Sequence, residues 1–345
     1  MVLERSAVRL WAQNDAARHR LWTEAIVAQR QAAGLPPPRT LLAVSGGVDK
    51  GAFSAGILNA WTRRGGRPSF DIVTGVSTGA LIAPFAFLGA EEDDELKAIY
   101  TNLKREDIYR QKILSGLLGG SSLLDTAPLK TLIAQHVTPA FLARIAAEHG
   151  KGRRLLVMTT NLDAQRGVIW DMGAIAGSGS PRALVLFRDV LLASASIPGA
   201  FPPVLIDVTG NGRRFAEMHV DGGTVGGFFA LPRTTLLLNG NSQSRTAIYL
   251  LYNGTLAPEF TVAKPRILSI LSRSLAVSLG EADRNILEEL RTFARERDAS
   301  LAICAIAEEP SEKAPPLFDT THMRALYTLG EEQGSKADGC LATSH

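Results

Sequence analysis

Apolar residues along this chain gather in short runs, separated by longer stretches in which they recur with helical spacing. The runs at 41–44, 71–74, 155–158, 167–170, 215–220, 247–252 and 301–306 have the length of strands. The stretches at 52–61, 80–88, 92–104, 126–136, 139–148, 182–193, 265–295 and 320–333 read as helices. A short apolar run followed by a helical stretch, repeated along the chain, is the rhythm of βα units. The expected fold is therefore α/β, a three-layer αβα sandwich with a largely parallel central sheet.

The two ends depart from this rhythm. Residues 4–31 read as one charged helix, with Trp11 and Trp22 three turns apart and Val8, Ala25 and Ile26 near the same face. That face either packs on the main domain or docks elsewhere, and the prolines at 36–38 end the helix. Beyond Pro310 the chain opens with Pro315 and Pro316, forms one short helix capped by Asp319 or Thr320, and turns polar from Glu331, with its last ten residues expected to fray. The expected organisation is an N-terminal helical extension at 1–38, a catalytic domain at 39–310, and a C-terminal helix with a flexible tail at 311–345. The glycine- and serine-rich span 115–122 is either a lid or an ordinary mobile connection.

Composition removes several classes. With 46% apolar and 21% charged residues, the chain is neither disordered, collagen-like nor a coiled coil. A formal charge of +3 over 345 residues is too small for a protein that neutralises nucleic-acid phosphates. Length alone leaves one large core or two domains open. Cys304 and Cys340 show neither metal-ligand spacing nor a disulfide framework, and Cys304, inside the apolar run 302–306, reads as a small buried hydrophobe. No apolar window is long enough to span a membrane, and the first thirty residues carry charges instead of a signal-peptide block. The chain as given is expected to be soluble, cytoplasmic or membrane-peripheral, with export open if a signal was removed.

Three glycine-marked turns carry the candidate chemistry. Gly75, Val76, Ser77, Thr78 and Gly79 spell G-x-S-x-G between an apolar strand and an apolar helix. A nucleophile on so sharp a turn needs small neighbours, and the helix that follows points its N-terminal amides at developing negative charge. Residues 45–52 again follow a strand and open a helix, and Gly46, Gly47 and Gly51 allow a nest of backbone N–H groups. Such a nest suits a phosphate or an acyl-transfer oxyanion. Neither nucleotide-binding glycine pattern is matched, which favours the oxyanion. Asp221, Gly222 and Gly223 end a third strand, where the aspartate is either an ordinary turn residue or the base that a serine hydroxyl needs. No His/Cys cluster or H-E-x-x-H pattern implies a metal, and no cofactor is expected.

In this order the three turns resemble the motifs of the patatin-like phospholipase family, a glycine-rich loop, then G-x-S-x-G, then D-G-[GA]. The stretch 193–203, with Ser194, Ser196, Pro198, Pro202 and Pro203, is similar to the block that precedes the aspartate in that family. The resemblance implies a patatin-like fold and a lipid acyl hydrolase, a phospholipase A, lysophospholipase or nonspecific lipid esterase with a Ser-Asp dyad. It implies Ser77 as the acylated nucleophile and Asp221 as the general base. Gly46, Gly47 and Val48 would form the oxyanion hole, and Lys50 would meet a head group. Calcium independence would follow.

Val48 stands where the family usually has a third glycine, and its Cβ restricts φ to the negative region, so a nest requiring φ > 0 must distort there. Asp49 places a negative charge beside the oxyanion site, harmless only if its side chain turns outward. A lipid-binding or regulatory protein that has lost hydrolysis through these two residues is one alternative. A Ser-His-Asp esterase using His219 or His322 is another. The expected partner is a phospholipid or another acyl lipid and not nucleic acid, with peripheral membrane contact through Ile113, Leu114, Leu117, Leu118, Leu123 and Leu124.

Overall fold

The computed structural model describes residues 8–13, 15–111, 122–210, 213–230, 246–257, 262, 265–308, 315–337 and 339–342. Its centre is five parallel strands in the order β6 (Arg154–Asn161), β3 (Ile72–Val76), β2 (Thr40–Val44), β10 (Ala247–Tyr252) and β11 (Ser300–Ala305). Strands β4 (Arg110–Gln111) and β5 (Leu124–Asp125) form a separate two-stranded sheet, and antiparallel strands finish both edges of the main one. On one side lie β7 (Arg166–Asp171) and then β1 (Arg9–Trp11); on the other, β12 (Leu341–Ala342). Strands buried on both faces need apolar side chains at every position, and β2 shows why. Leu42 and Val44 enter the core on one face of the sheet, and Leu41 and Ala43 enter the core on the other.

The thicker layer holds α2 (Gly51–Arg63), α3 (Thr78–Leu88), α4 (Asp93–Asn102), α6 (Ala127–His136), α7 (Pro139–Gly150), α9 (Ala183–Ser194) and α11 (Thr320–Ser335), with α5 (Arg105–Ile108) and α8 (Met172–Ala176) as short connections. The thinner layer is carried by the C-terminal half of α10 (Ile267–Glu296), through Leu287, Leu290, Phe293 and Ala294, with Trp22 of α1 (Ala16–Ala32) packed against it. This is the expected three-layer α/β architecture with a mostly parallel sheet.

One branch of the sheet matters for the site. Residues Thr159, Thr160 and Asn161 of β6 are paired with β7 on one side, while on the other side β3 stops at the pair Val76–Met158. The vacated edge is taken by β9 (Arg213–Asp221), which runs antiparallel and sets Asp221 opposite Thr159. The end of β9 therefore arrives where β3 turns into Ser77.

Four readings of the sequence are corrected. The N-terminal segment is not one helix over 4–31, because Arg9–Trp11 forms an edge strand and the helix begins at Ala16. Long-range pairing overrides the local pattern there, since Leu10 is buried and Arg9 forms a buried ion pair with Glu217. A strand absent from the prediction, β8 (Val204–Gly210), makes a hairpin with β9. Of the last ten residues, Leu341 and Ala342 do not fray but form β12 and pair with β11, and α11 runs to Ser335.

The fourth correction concerns the cysteines. Cys304 is buried as expected but bonded to Cys340 across the β11–β12 edge. Closing a loop with a sequence separation of 36 constrains the unfolded chain by about 3–4 kcal/mol in the chain-entropy picture. Cys340→Ser is expected to lower unfolding stability by about that amount, checked by urea titration of both proteins, and dithiothreitol should reproduce the loss in the wild type only.

Candidate active site

Ser77 occupies the single residue between β3 and α3, at φ 56° and ψ −126°. This backbone conformation is unfavourable for an L-residue and persists only where its surroundings enforce it. The flanking glycines are part of that enforcement. A Cβ on Gly75 would lie 2.4 Å from the Gly79 carbonyl oxygen, and one on Gly79 would lie 2.2 Å from that of Val44. The Ser77 N–H donates to Ser194 Oγ at 3.0 Å, and that hydroxyl in turn donates to the Met158 carbonyl at 2.7 Å. The elbow is thus pinned from outside by the last residue of α9.

The glycine loop after β2 lies directly against this serine, since a Cβ on Gly46 would come within 3.1 Å of Ser77 Cβ. The Gly46 N–H donates to the Gly227 carbonyl at 2.7 Å, which removes it from the oxyanion set implied by the resemblance. The N–H groups of Gly47 and Val48 have no protein acceptor among the described residues. Gly47 has φ 148°, and a Cβ there would meet the Asn253 carbonyl oxygen at 2.4 Å, so glycine is required. Val48 is the surprise. Its φ is +58°, so the backbone keeps the left-handed turn despite the Cβ, at a local cost of about 1–2 kcal/mol. Val48→Gly is expected to raise stability by about 1 kcal/mol after the entropic cost of glycine, read as a higher urea midpoint at an unchanged slope. Asp49 turns away from the site and accepts the Phe318 N–H at 2.9 Å. Lys50 ends the 3-10 turn and is half-buried.

Asp221 is buried, its carboxylate accepts the Gly223 N–H at 2.7 Å, and the Ser77 hydroxyl lies close enough to favour its ionised form. Burial is the dominant influence and pushes its pKa up to about 7, with the Ser77 hydroxyl and the Gly223 N–H pulling the other way. Its own N–H donates to the Ser196 carbonyl at 2.9 Å, and Thr160 Oγ1 donates to its carbonyl at 3.0 Å. Gly222 packs on β6 where β3 stops pairing with it, and a Cβ there would meet the Met158 carbonyl oxygen at 2.4 Å.

Of the two histidines weighed as triad members, the ring of His219 is engaged elsewhere. His219 is fully buried, with Nδ1 2.9 Å from Thr159 Oγ1 and Nε2 3.4 Å from Glu217. His322 lies in the first turn of α11, its N–H donating to the capping carboxylate of Asp319 at 2.8 Å. Of the residues named for lipid contact, Ile113, Leu114, Leu117 and Leu118 lie outside the described residues, as does the span 115–121. Leu123 is exposed and Leu124 half-buried. No described helix is long and apolar enough to cross a membrane.

Four supporting residues were not identified as such from the sequence. Ser194 and Ser196, one turn of chain, hold Ser77 through a side chain and Asp221 through a carbonyl. Their signal was the 193–203 block, read only as a motif. Asn253 clamps the glycine loop, its N–H donating to Ser45 Oγ and its Nδ2 to the Ser45 carbonyl, both at 2.8 Å, while its Oδ1 accepts from Ser54 Oγ at 2.6 Å. Asp283 of α10 accepts the Gly227 N–H at 2.6 Å, so the residue that occupies the Gly46 amide is itself held in place.

The sequence matches no curated protein significantly. Among solved structures, the chain is similar to VipD from Legionella pneumophila at 13% identity and a TM-score of 0.42, over 90% of this chain and 69% of that one. It is also similar to ExoU of Pseudomonas aeruginosa in complex with SpcU, at 15% identity and a TM-score of 0.28, over 76% of this chain and 53% of that one. A second structure of ExoU, described as a type III effector protein, gives 14% identity and a TM-score of 0.25, over 87% of this chain and 52% of that one. The chain thus spans about half the length of ExoU. The sequence profile of the patatin-like phospholipase family matches residues 42–232, more than half of the chain and the whole span from the strand before the glycine loop to beyond Asp221. This chain belongs to the patatin-like phospholipase family.

Proposed function

We propose that the protein is a serine acyl hydrolase of phospholipids or related acyl lipids, working through Ser77 and Asp221. The observation that carries this reading is the juxtaposition of a strained serine at a helix N-cap position and a buried carboxylate brought beside it by a second strand. Asp221 takes the proton of Ser77 as Oγ attacks the ester carbonyl carbon, and the N–H groups of Gly47 and Val48 receive the oxyanion. Collapse expels the alcohol portion, which takes the proton from Asp221 and leaves an acyl-serine. Water then attacks the acyl carbon while Asp221 accepts its proton; the carboxylic acid leaves, and the proton returns to Ser77.

A carboxylate of ordinary pKa is a weak base near neutrality, and the displacement caused by burial brings Asp221 into the useful range. His219, bonded to Thr159 and Glu217, gives the triad reading no support, and the outward turn of Asp49 removes one ground for a lost activity. Peripheral membrane contact would bring the substrate, with the exposed Leu123 as one contact. The test is hydrolysis of a panel of phospholipids, lysophospholipids and p-nitrophenyl esters, together with fluorophosphonate labelling mapped by peptide mass. Labelling at Ser77 with lipid turnover is expected. Lipid binding without labelling overturns the enzyme reading.

A further inference from the structure

An apolar cavity of about 70 Å³ opens between α3, α4 and α6, lined by Val48, Thr78, Leu81, Leu132, Ile133 and Phe318 among others. The cavity adjoins the site without Ser77 or Asp221 in its lining, since Val48 follows Gly47 in the glycine loop and Thr78 follows Ser77. Its polar groups are already partnered. Thr78 Oγ1 and Tyr100 Oη lie 2.8 Å apart in a hydrogen bond, and His136 Nδ1 is 2.6 Å from Glu95. A cavity lined in this way stays dry and takes apolar occupants. Another cavity, about 210 Å³, lies on the opposite face of the sheet and is lined by Arg273, Asp283 and Arg284 among others.

Phe318 is the lining residue with the least ordinary support. It comes from the C-terminal segment, far along the chain from the helices it faces, and holds φ +60°. Its N–H is latched to Asp49, the residue after Val48, and its ring lies 6.1 Å from that of Tyr109. An L-residue keeps such a conformation only where its surroundings over-determine it. Asp49, the oddity of the glycine loop, thereby acquires a task. It fixes one wall of the cavity relative to the loop that faces Ser77.

We propose that this cavity is the acyl-chain subsite, and that Phe318, positioned by Asp49, sets the chain length it accepts. The inference rests on the acyl-hydrolase reading. A cavity of this size has room for only a short stretch of chain, so longer acyl groups require the Phe318 wall to yield. Each methylene excluded from such a pocket changes discrimination by roughly tenfold or more.

The test uses alkyl fluorophosphonates of two and twelve carbons, whose phosphorus is attacked by the serine with loss of fluoride, and reads the ratio of the two labelling rates at Ser77. Leu132→Trp, which fills the cavity, is expected to lower the twelve-to-two ratio at least about tenfold. Phe318→Ala and Asp49→Ala are expected to raise it by about the same factor, while Asp49→Asn, which keeps an acceptor for the Phe318 N–H, holds the wild-type ratio. Should Leu132→Trp fail to fold, the two enlarging variants decide. An unchanged ratio in Phe318→Ala and Asp49→Ala overturns the subsite while short-probe labelling leaves the hydrolase reading standing. Failure of the short probe to label wild-type Ser77 overturns both.

Discussion

Replacing Ser77 with alanine is expected to reduce ester hydrolysis to the uncatalysed background, a loss of about four orders of magnitude or more, because no other hydroxyl stands at the elbow with a base attached. Alanine retains a Cβ and so keeps the strain of φ 56°, and the variant should unfold near the wild-type midpoint. Ser77→Gly separates chemistry from strain. Glycine adopts this region freely, so the variant should be equally inactive yet more stable by about 1 kcal/mol. Hydrolysis of p-nitrophenyl esters and urea unfolding of the three proteins check both halves. Residual turnover above a hundredth of wild type in either purified variant would rule out Ser77 as the nucleophile.

The elbow was legible in the sequence because its determinants are local. An apolar strand, two glycines around a serine and an apolar helix all fall within 72–88, and the close approaches of Gly75 and Gly79 explain why no larger residue stands there. The helical layer was legible for the same reason, with the eight helices predicted between 52 and 333 matching the observed ends to within two residues. What stayed hidden depends on contacts between distant segments. Residues Arg9–Trp11 carry no strong strand signal and become a strand by pairing with β7, more than 150 residues away. The β8 strand has its buried positions at Ile206 and Val208 separated by Asp207, an alternation too short to stand out beside two prolines. The disulfide needed knowledge that β12 returns to β11, and spacing alone does not contain it.

The loop is an intermediate case. Its glycines pointed to an anion nest, but which amides remain free depends on Gly227 and Asp283, and that division of labour exists only in the folded chain. The rule that a Cβ excludes φ > 0 at Val48 was outweighed by the Asn253 clamp on Ser45 and the approach of Gly47 to Asn253. Departures from local rules concentrate around Ser77, as expected where a fold gives up stability to place reactive groups.

Asp221→Asn is expected to show that trade directly. Asparagine keeps an oxygen for the Gly223 N–H but cannot take the Ser77 proton, so ester turnover should fall at least about a hundredfold. In the wild type, kcat/KM should rise with pH through about 7 as Asp221 ionises and level off above it. A limb centred near 4 would mean a solvated aspartate and contradict the buried base. Stability should move in the opposite sense. Because burial raises the carboxyl above its unfolded value, the folded chain holds a proton between about pH 4 and 7 that the unfolded chain has released. Wild-type stability therefore declines across that window and is lowest above it. Asparagine carries no such charge, so the variant should match the wild type below about pH 4 and exceed it above pH 7, by at most ~4 kcal/mol or about 5 °C in Tm. Thermal unfolding of both proteins at pH 4 and pH 8 reads this difference, and an asparagine variant less stable than wild type at pH 8 would show that the ionised carboxylate is held there by favourable contacts instead of by force of burial.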